Sequence, residues 1–321
     1  MPRILPTLLL CALAVATRAH AQAWPSKPLR LIVPYTAAGS TDQLSRALAQ
    51  RLGDALGQPV MVENRPGANT IIGAEAAAKS EPDGHTLFMG SSGSLAVNPS
   101  LYAKLPYDPA RDFSLVTLTA SSPLVLVLHP SVPVNSVKEL ADYARANPGK
   151  LNFASVGNGN PLHLAGELFK AMAGVQITHV PYKGSAPALT DLLAGQVQLM
   201  FDTPITSMPH VRSGNLKAFA VTSAKRSAAL PELPTIAELG YPGYDAGIWF
   251  GVVVRKGTPA PVIAKLNAEL RKILDNAELR AKFGAQSLDL MSSTPEEFNA
   301  FLAAEVAKWR KVIVDSKTRL D

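Results

Sequence analysis

The sequence predicts an α/β protein of two lobes, each built on a mixed, mainly parallel sheet flanked by helices, with the chain crossing between them twice. Three observations predict it. Strand-like apolar runs alternate with helical patterns along the chain. A second such alternation starts at Leu124, after the first has run its course. The length, 321 residues, is long for one compact core and comfortable for two.

The first residues read as an export signal. Arg3 gives a positive start, Ile4 to Ala16 form an apolar run, and Ala19-His20-Ala21 offers a small-x-small cleavage site. Cleavage is expected after Ala21, or after Ala23, leaving the mature chain in the periplasm. The run falls short of the roughly 18 apolar residues that a membrane span needs. Cys11 lies inside it behind Leu10, so it reads as signal filling and not as a lipidated first residue. It is the only cysteine, and a mature chain without it has no thiol or disulfide chemistry. Loss of Arg3 and Arg18 lowers the formal net charge from +6 to +4. The remaining basic residues are interleaved with acids, and no Lys/Arg stripe suggests nucleic acid.

In the first lobe, Leu29 to Val33 reads as a buried strand. A helix follows from Asp42 to Leu56, with Leu44, Leu48, Leu52 and Leu56 four apart on one face. Pro59 to Glu63 is the next strand, then an alanine-rich helix through Ala78, then a strand from Thr86 to Met89. The second lobe opens with the strand Leu124 to Leu128. Ser136 and Glu139 form a capping box for a helix ending near Asn147-Pro148-Gly149. Strands are expected at 151–154, 177–180, 198–201 and 216–221, with helices at 161–172 and 186–193 and Gly195 as a stop. Past Lys225 the chain returns: a strand from Trp249 to Arg255, a helix opened by Thr258-Pro259, and a last helix capped by Thr294, Pro295 and Glu297. Residues 22–122 and 226–321 therefore form one lobe and 123–225 the other, with the second boundary anywhere in 222–246.

Ligands of open α/β sheets bind beyond the carboxyl ends of the strands, so the strand-to-helix junctions are the candidate site. The first holds Tyr35, Ala38, Gly39, Ser40, Thr41 and Asp42. Gly39 allows an unusual backbone angle, Ser40 or Thr41 can cap the helix, and free amides there could grip an anion. A tight turn with a capped helix explains the same residues. The second is Ser155, Gly157, Asn158, Gly159, Asn160 and, on the helix, His163. It lacks the Gly-Lys-Ser/Thr of a phosphate loop, so a small carboxylate suits it better than a nucleotide. The third is Gly184 with Ser185 as the cap, beside a solvated Lys183. Asp202 ends a later strand; like Asp42, it either braces a loop or meets the ligand.

Enzyme readings fail on the residues. Ser91 sits in a Gly90-Ser91-Ser92-Gly93-Ser94 segment resembling a hydrolase elbow, but Ser94 occupies the closing glycine position; Ser91 is kept as a ligand contact. His163 and Glu167 have the spacing of a metal pair, yet no other histidine supplies a matching partner. No nucleophile, base and oxyanion donor assemble, so no enzyme, metal or cofactor is expected.

At these junctions the chain resembles the extracytoplasmic solute receptors of tripartite tricarboxylate transporters, the Bug proteins. The resemblance covers nearly the whole mature chain. It rests on Val33-Pro34-Tyr35 with Gly39 and Asp42, on Glu63-Asn64-Arg65-Pro66-Gly67-Ala68, and on Pro82-Asp83-Gly84-His85-Thr86-Leu87. It continues through His163-Leu164-Ala165-Gly166-Glu167, Val180-Pro181-Tyr182-Lys183-Gly184, Met200-Phe201-Asp202 and Pro231-Glu232-Leu233-Pro234-Thr235. The resemblance implies a type II periplasmic-binding-protein fold, monomeric, that closes on a small carboxylate held by amides, hydroxyls and water. It also implies partners in the membrane, the integral permease subunits of the transporter. A receptor reporting to a sensor kinase would have the same cleft, and an acidic amino acid or aromatic acid is an alternative ligand. Ser40 and Asn160 depart from the family's usual glycine and small hydroxyl residue, so ligand identity does not carry over.

Overall fold

The computed structural model describes residues 24–37 and 39–320. The signal segment with Cys11 and its cleavage sites lies outside the described residues, as does Ala38. The chain begins with β1 (Leu29–Val33), α1 (Ser40–Leu56), β2 (Val60–Asn64), α2 (Ile71–Ala78) and β3 (Thr86–Ser91). A π-helical turn at Gly93–Val97 leads to α3 (Asn98–Leu101), α4 (Pro109–Asp112) and β4 (Phe113–Ser122). The middle comprises β5 (Val125–Leu128), α5 (Val137–Ala146), β6 (Asn152–Ser155), α6 (Pro161–Ala173), β7 (Thr178–Pro181), α7 (Ser185–Leu193), β8 (Leu199–Asp202), α8 (Pro204–Arg212) and β9 (Lys217–Val221). The last part is β10 (Ile248–Arg255), α9 (Ala260–Leu274), α10 (Ala277–Gly284), β11 (Asp289–Leu290) and α11 (Pro295–Asp315).

These strands form two sheets, ordered β11-β4-β10-β3-β1-β2 and β7-β6-β8-β5-β9. The first strand to enter each sheet after a crossing, β5 in one and β10 in the other, runs antiparallel to both its neighbours. That direction follows from the route. A chain arriving from the other sheet enters at the end where the parallel strands finish and has to run back against them.

The six-stranded sheet is buried on both faces, and strand periodicity divides its side chains between them. Leu29, Leu31 and Val33 of β1, Leu87 and Met89 of β3, and Val252 and Val254 of β10 meet Leu44, Leu48 and Leu52 of α1 and Leu266 and Leu270 of α9. Ile32, Phe88 and Val253 point the other way, into a core shared with Phe298 and Trp309 of α11. The leucines spaced by four on α1 thus form the buried stripe read from sequence.

Several local readings are corrected. Gly39, not Ser40 or Thr41, is the N-cap of α1, with no side-chain cap. Gly184 at φ 122 caps α7, and Ser185 is already inside the helix. A serine there would be strained, which is why the cap shifts to the glycine. Ser136 caps α5, but the Glu139 carboxylate accepts from the Asn135 amide instead of returning to Ser136. Strand β4 went unread because Thr117 and Thr119 interrupt its apolar run. Both are fully buried, and Thr117 Oγ1 donates to the Ser293 carbonyl at 2.9 Å.

The return crossing is tied down by one hydroxyl. Thr222 Oγ1 accepts from the Leu124 amide at 2.8 Å and donates to the Ala246 carbonyl at 3.1 Å, linking both connections between the sheets. Its own backbone pairs with both segments as well. Thr222→Val keeps the shape and removes both side-chain bonds, leaving buried partners unsatisfied. The variant should lose about 1–3 kcal/mol of stability, measured by urea unfolding at pH 7.

Candidate functional site

Beyond the strand ends, between the two sheets, lies a cavity of ≈ 390 Å³. The six-stranded sheet contributes Tyr35 after β1, the start of α1 at Gly39, Ser40 and Thr41, and Asn69 and Thr70 before α2. It also supplies Gly93 after β3, and Ile248 and Phe250 at the start of β10. The five-stranded sheet contributes Asn160 and Pro161 at the start of α6, and Thr203, Pro204 and Ile205 at the start of α8. Helix N-termini from both sheets therefore open onto one space, where their dipoles favour an anion; Pro161 and Pro204, which open α6 and α8, contribute no N–H. No Lys, Arg, His, Asp or Glu lines it among the described residues.

Of the residues proposed from sequence, Tyr35, Gly39, Ser40, Thr41 and Asn160 come together here. The Tyr35 ring packs edge-on against Phe250, and burial of its hydroxyl, only partly offset by a bond to Ser91, pushes its pKa up to about 12. It stays a neutral phenol. Ser91 lies below the cavity, fully buried, its amide donating to Ser94 Oγ at 2.9 Å. Ser92 Oγ, next to Gly93, is buried without a hydrogen-bond partner among the described residues. Asp42 is buried on the first turn of α1, accepting from Arg46 Nε and Asn64 Nδ2, both at 2.9 Å. Gly184 and Ser185 stand outside the cavity lining.

The second loop is braced from behind by a histidine pair. His163 on α6 and His179 on β7 stack with centroids 3.7 Å apart. The Gly159 amide donates to His163 Nδ1 at 3.0 Å, and His163 Nε2 faces Glu167 Oε1 at 3.5 Å. His179 Nε2 lies 2.6 Å from Ser155 Oγ, which in turn accepts from the Gly157 amide. Burial, aided by the neighbouring His163, pushes the His179 pKa down to about 3. Burial raises the Glu167 pKa, but His163 and Lys170 outweigh it and hold the carboxyl below its usual range. Ser155, Gly157, Gly159 and His163 thus shape the loop, while Asn160 and Pro161 present it to the cavity. Sequence spacing gave His163 no histidine partner. Parallel pairing of β6 with β7 supplies one.

Sequence reasoning missed Asn69, Thr70 and Gly93. Ala68, Asn69 and Thr70 hold φ of 46, 50 and 72, a left-handed run that side chains resist. Asn98 holds it: Asn69 Nδ2 donates to Asn98 Oδ1 at 3.0 Å, and Asn98 Nδ2 donates to the Asn69 carbonyl at 2.8 Å. Tyr107 accepts from Asn98 and donates to the Ser94 carbonyl at 2.8 Å. The only sequence signal for this device was the glycine-bearing segment just ahead of it, Arg65-Pro66-Gly67.

A family model, the tripartite tricarboxylate transporter family receptor, matches residues 44–317. The chain belongs to that family. This receptor is similar to protein BugT of Bordetella pertussis, 40% identical over 307 residues, covering 95% of this chain and 94% of that protein. Among solved structures, R. palustris Rpa4515 with adipate is 40% identical with TM-score 0.78, covering 92% of this chain and 98% of the other. MatC (Rpa3494) from Rhodopseudomonas palustris with bound malate is 32% identical with TM-score 0.75, covering 90% and 99%. The receptor therefore has the two-sheet fold of periplasmic binding proteins and is of the Bug type. Among its described residues no helix is long and apolar enough to cross a membrane.

Proposed function

We propose that this receptor captures a small carboxylate between its two lobes in the periplasm and delivers it to the integral permease of a tripartite transporter. The carrying observation is the cavity itself: uncharged, and faced by helix N-termini from both sheets. Amides and hydroxyls can hold a carboxylate there with no fixed cation to desolvate. The related structures named above carry adipate and malate, both carboxylates.

Closure fits the wiring. The lobes meet through two connections, at Ser122–Leu124 and near Ala246–Ile248, which we take as the hinge. The segment before the second packs on the five-stranded sheet, with Val221 and Thr235 bridged. Gly159 of one lobe seats the Leu101 side chain of the other; a Cβ there would stand 2.3 Å from Leu101 Cδ2. A hinge that closes on ligand shifts a population in proportion to differential affinity.

We read the chain as a binder and not a catalyst. Its nearest approach to a catalytic pair, Ser155 with His179, has a fully buried serine engaged by its own loop. Isothermal titration of the mature protein with carboxylates tests the reading. Saturable one-to-one binding with the acid recovered unchanged is expected. Turnover of the acid, or no heat with any carboxylate, would overturn it.

A further inference from the structure

The sheet order lays the cavity floor out in sequence. Tyr35 and Gly39 lie over β1, Gly93 over β3, Ile248 and Phe250 over β10, and Ser122, Gln286 and Leu288 over β4 and β11. Strands are spaced by ~4.8 Å, so the two ends stand about 10 Å or more apart. The β1 end is polar. The other end carries Ile248, Phe250 and Leu288 beside the neutral Ser122 and Gln286, and Ile205 of α8 lines the same cavity from the opposite lobe. Ile205 is 62% exposed at the cavity wall, so its side chain is open to a ligand.

That end is also ill-suited to a second anion. Pro204 opens α8 and has no N–H to offer. The Thr206 hydroxyl on the first turn already donates to the carboxylate of Asp202 at 2.6 Å; Asp202 is wholly buried at the end of β8, and its Oδ1 has no partner among the described residues. A resident carboxylate therefore occupies the helix start that a ligand carboxylate would need. Gln286 is the one amide side chain nearby, and it is neutral.

We propose, resting on the carboxylate reading above, that the ligand is a monocarboxylate whose apolar alkyl or aryl tail lies along Ile205, Ile248 and Leu288, and that Ile205 selects against a second charge there. Hexanoate and adipate test this, having the same length and differing in one terminal carboxylate. By isothermal titration hexanoate should bind at least about tenfold tighter than adipate. Affinity should rise about fourfold per methylene from butanoate to hexanoate. Ile205→Lys should bring the two acids to parity or invert them, and Ile205→Ala should weaken hexanoate alone, both with unchanged thermal midpoints. Adipate binding as tightly as hexanoate to the unaltered protein overturns the inference and leaves the carboxylate reading intact. So does a preference that ignores both substitutions. Failure of every acid to bind removes both.

Discussion

Asn98→Ala is expected to cost about 2–4 kcal/mol of stability and at least about tenfold in carboxylate affinity. Asn98 is fully buried, and its amide makes the bonds to Asn69 and Tyr107 described above. Removing it leaves the Asn69 side-chain amide without its partner and the Asn69 carbonyl with only the Thr70 hydroxyl. It also frees three consecutive non-glycine residues from left-handed angles that each resist. Relaxation of the run withdraws Asn69 and Thr70 from the cavity wall, so the cost falls on ligand binding as well as on folding. Urea unfolding and titration calorimetry read the two losses separately. Asn98→Asp, which retains the acceptor but not the donor, should fall between them. An Asn98→Ala protein that loses stability and binds normally would show that the run does not position the ligand.

The second expected result has the opposite sign. Asp202→Asn should stabilise the protein by about 2–3 kcal/mol at pH 8 and by almost nothing at pH 4. Burial pushes the Asp202 pKa up to about 6, against bonds from Thr206 and Thr203 that favour the ionised form. Between 3.8 and about 6 the folded protein holds a proton that the unfolded chain has released, so stability falls as pH rises through that window. Above it, the native state carries a buried charge with one oxygen unpartnered. Asparagine is the same size and neutral, and it can still accept from the Thr206 hydroxyl, 2.6 Å away in the parent. The check is a pair of denaturation series across pH 4 to 8. Parallel curves for the two proteins would mean that Asp202 titrates normally.

How far the sequence reached depended on the range of the interaction. The helix α1 was legible because Leu44, Leu48, Leu52 and Leu56 repeat along one face, and that face is the one buried. The cap of α11 was legible because Thr294 and Glu297 bond each other's backbone within a single turn. Asn160 was read in the loop just ahead of the helix expected at 161–172, and its side chain accepts from the Leu162 amide two residues on. Where caps were misread, at Gly39 and Gly184, the error was one or two residues, since either neighbour could have satisfied the same local rule.

Alternation of strands and helices, the approximate edges of each element and the two glycine-bearing loops were thus determined by the sequence alone, because each depends on residues within about one helical turn or strand of one another. Tertiary structure decided the rest. Asn98 meets Asn69, His163 meets His179, and Ile205 lines one cavity with Ile248 and Leu288 only because sheet order and two crossings bring separate segments to the same end of the fold. Side-chain periodicity says which face of an element is buried. It carries no information about which other element will cover that face, and the cavity is made of such meetings.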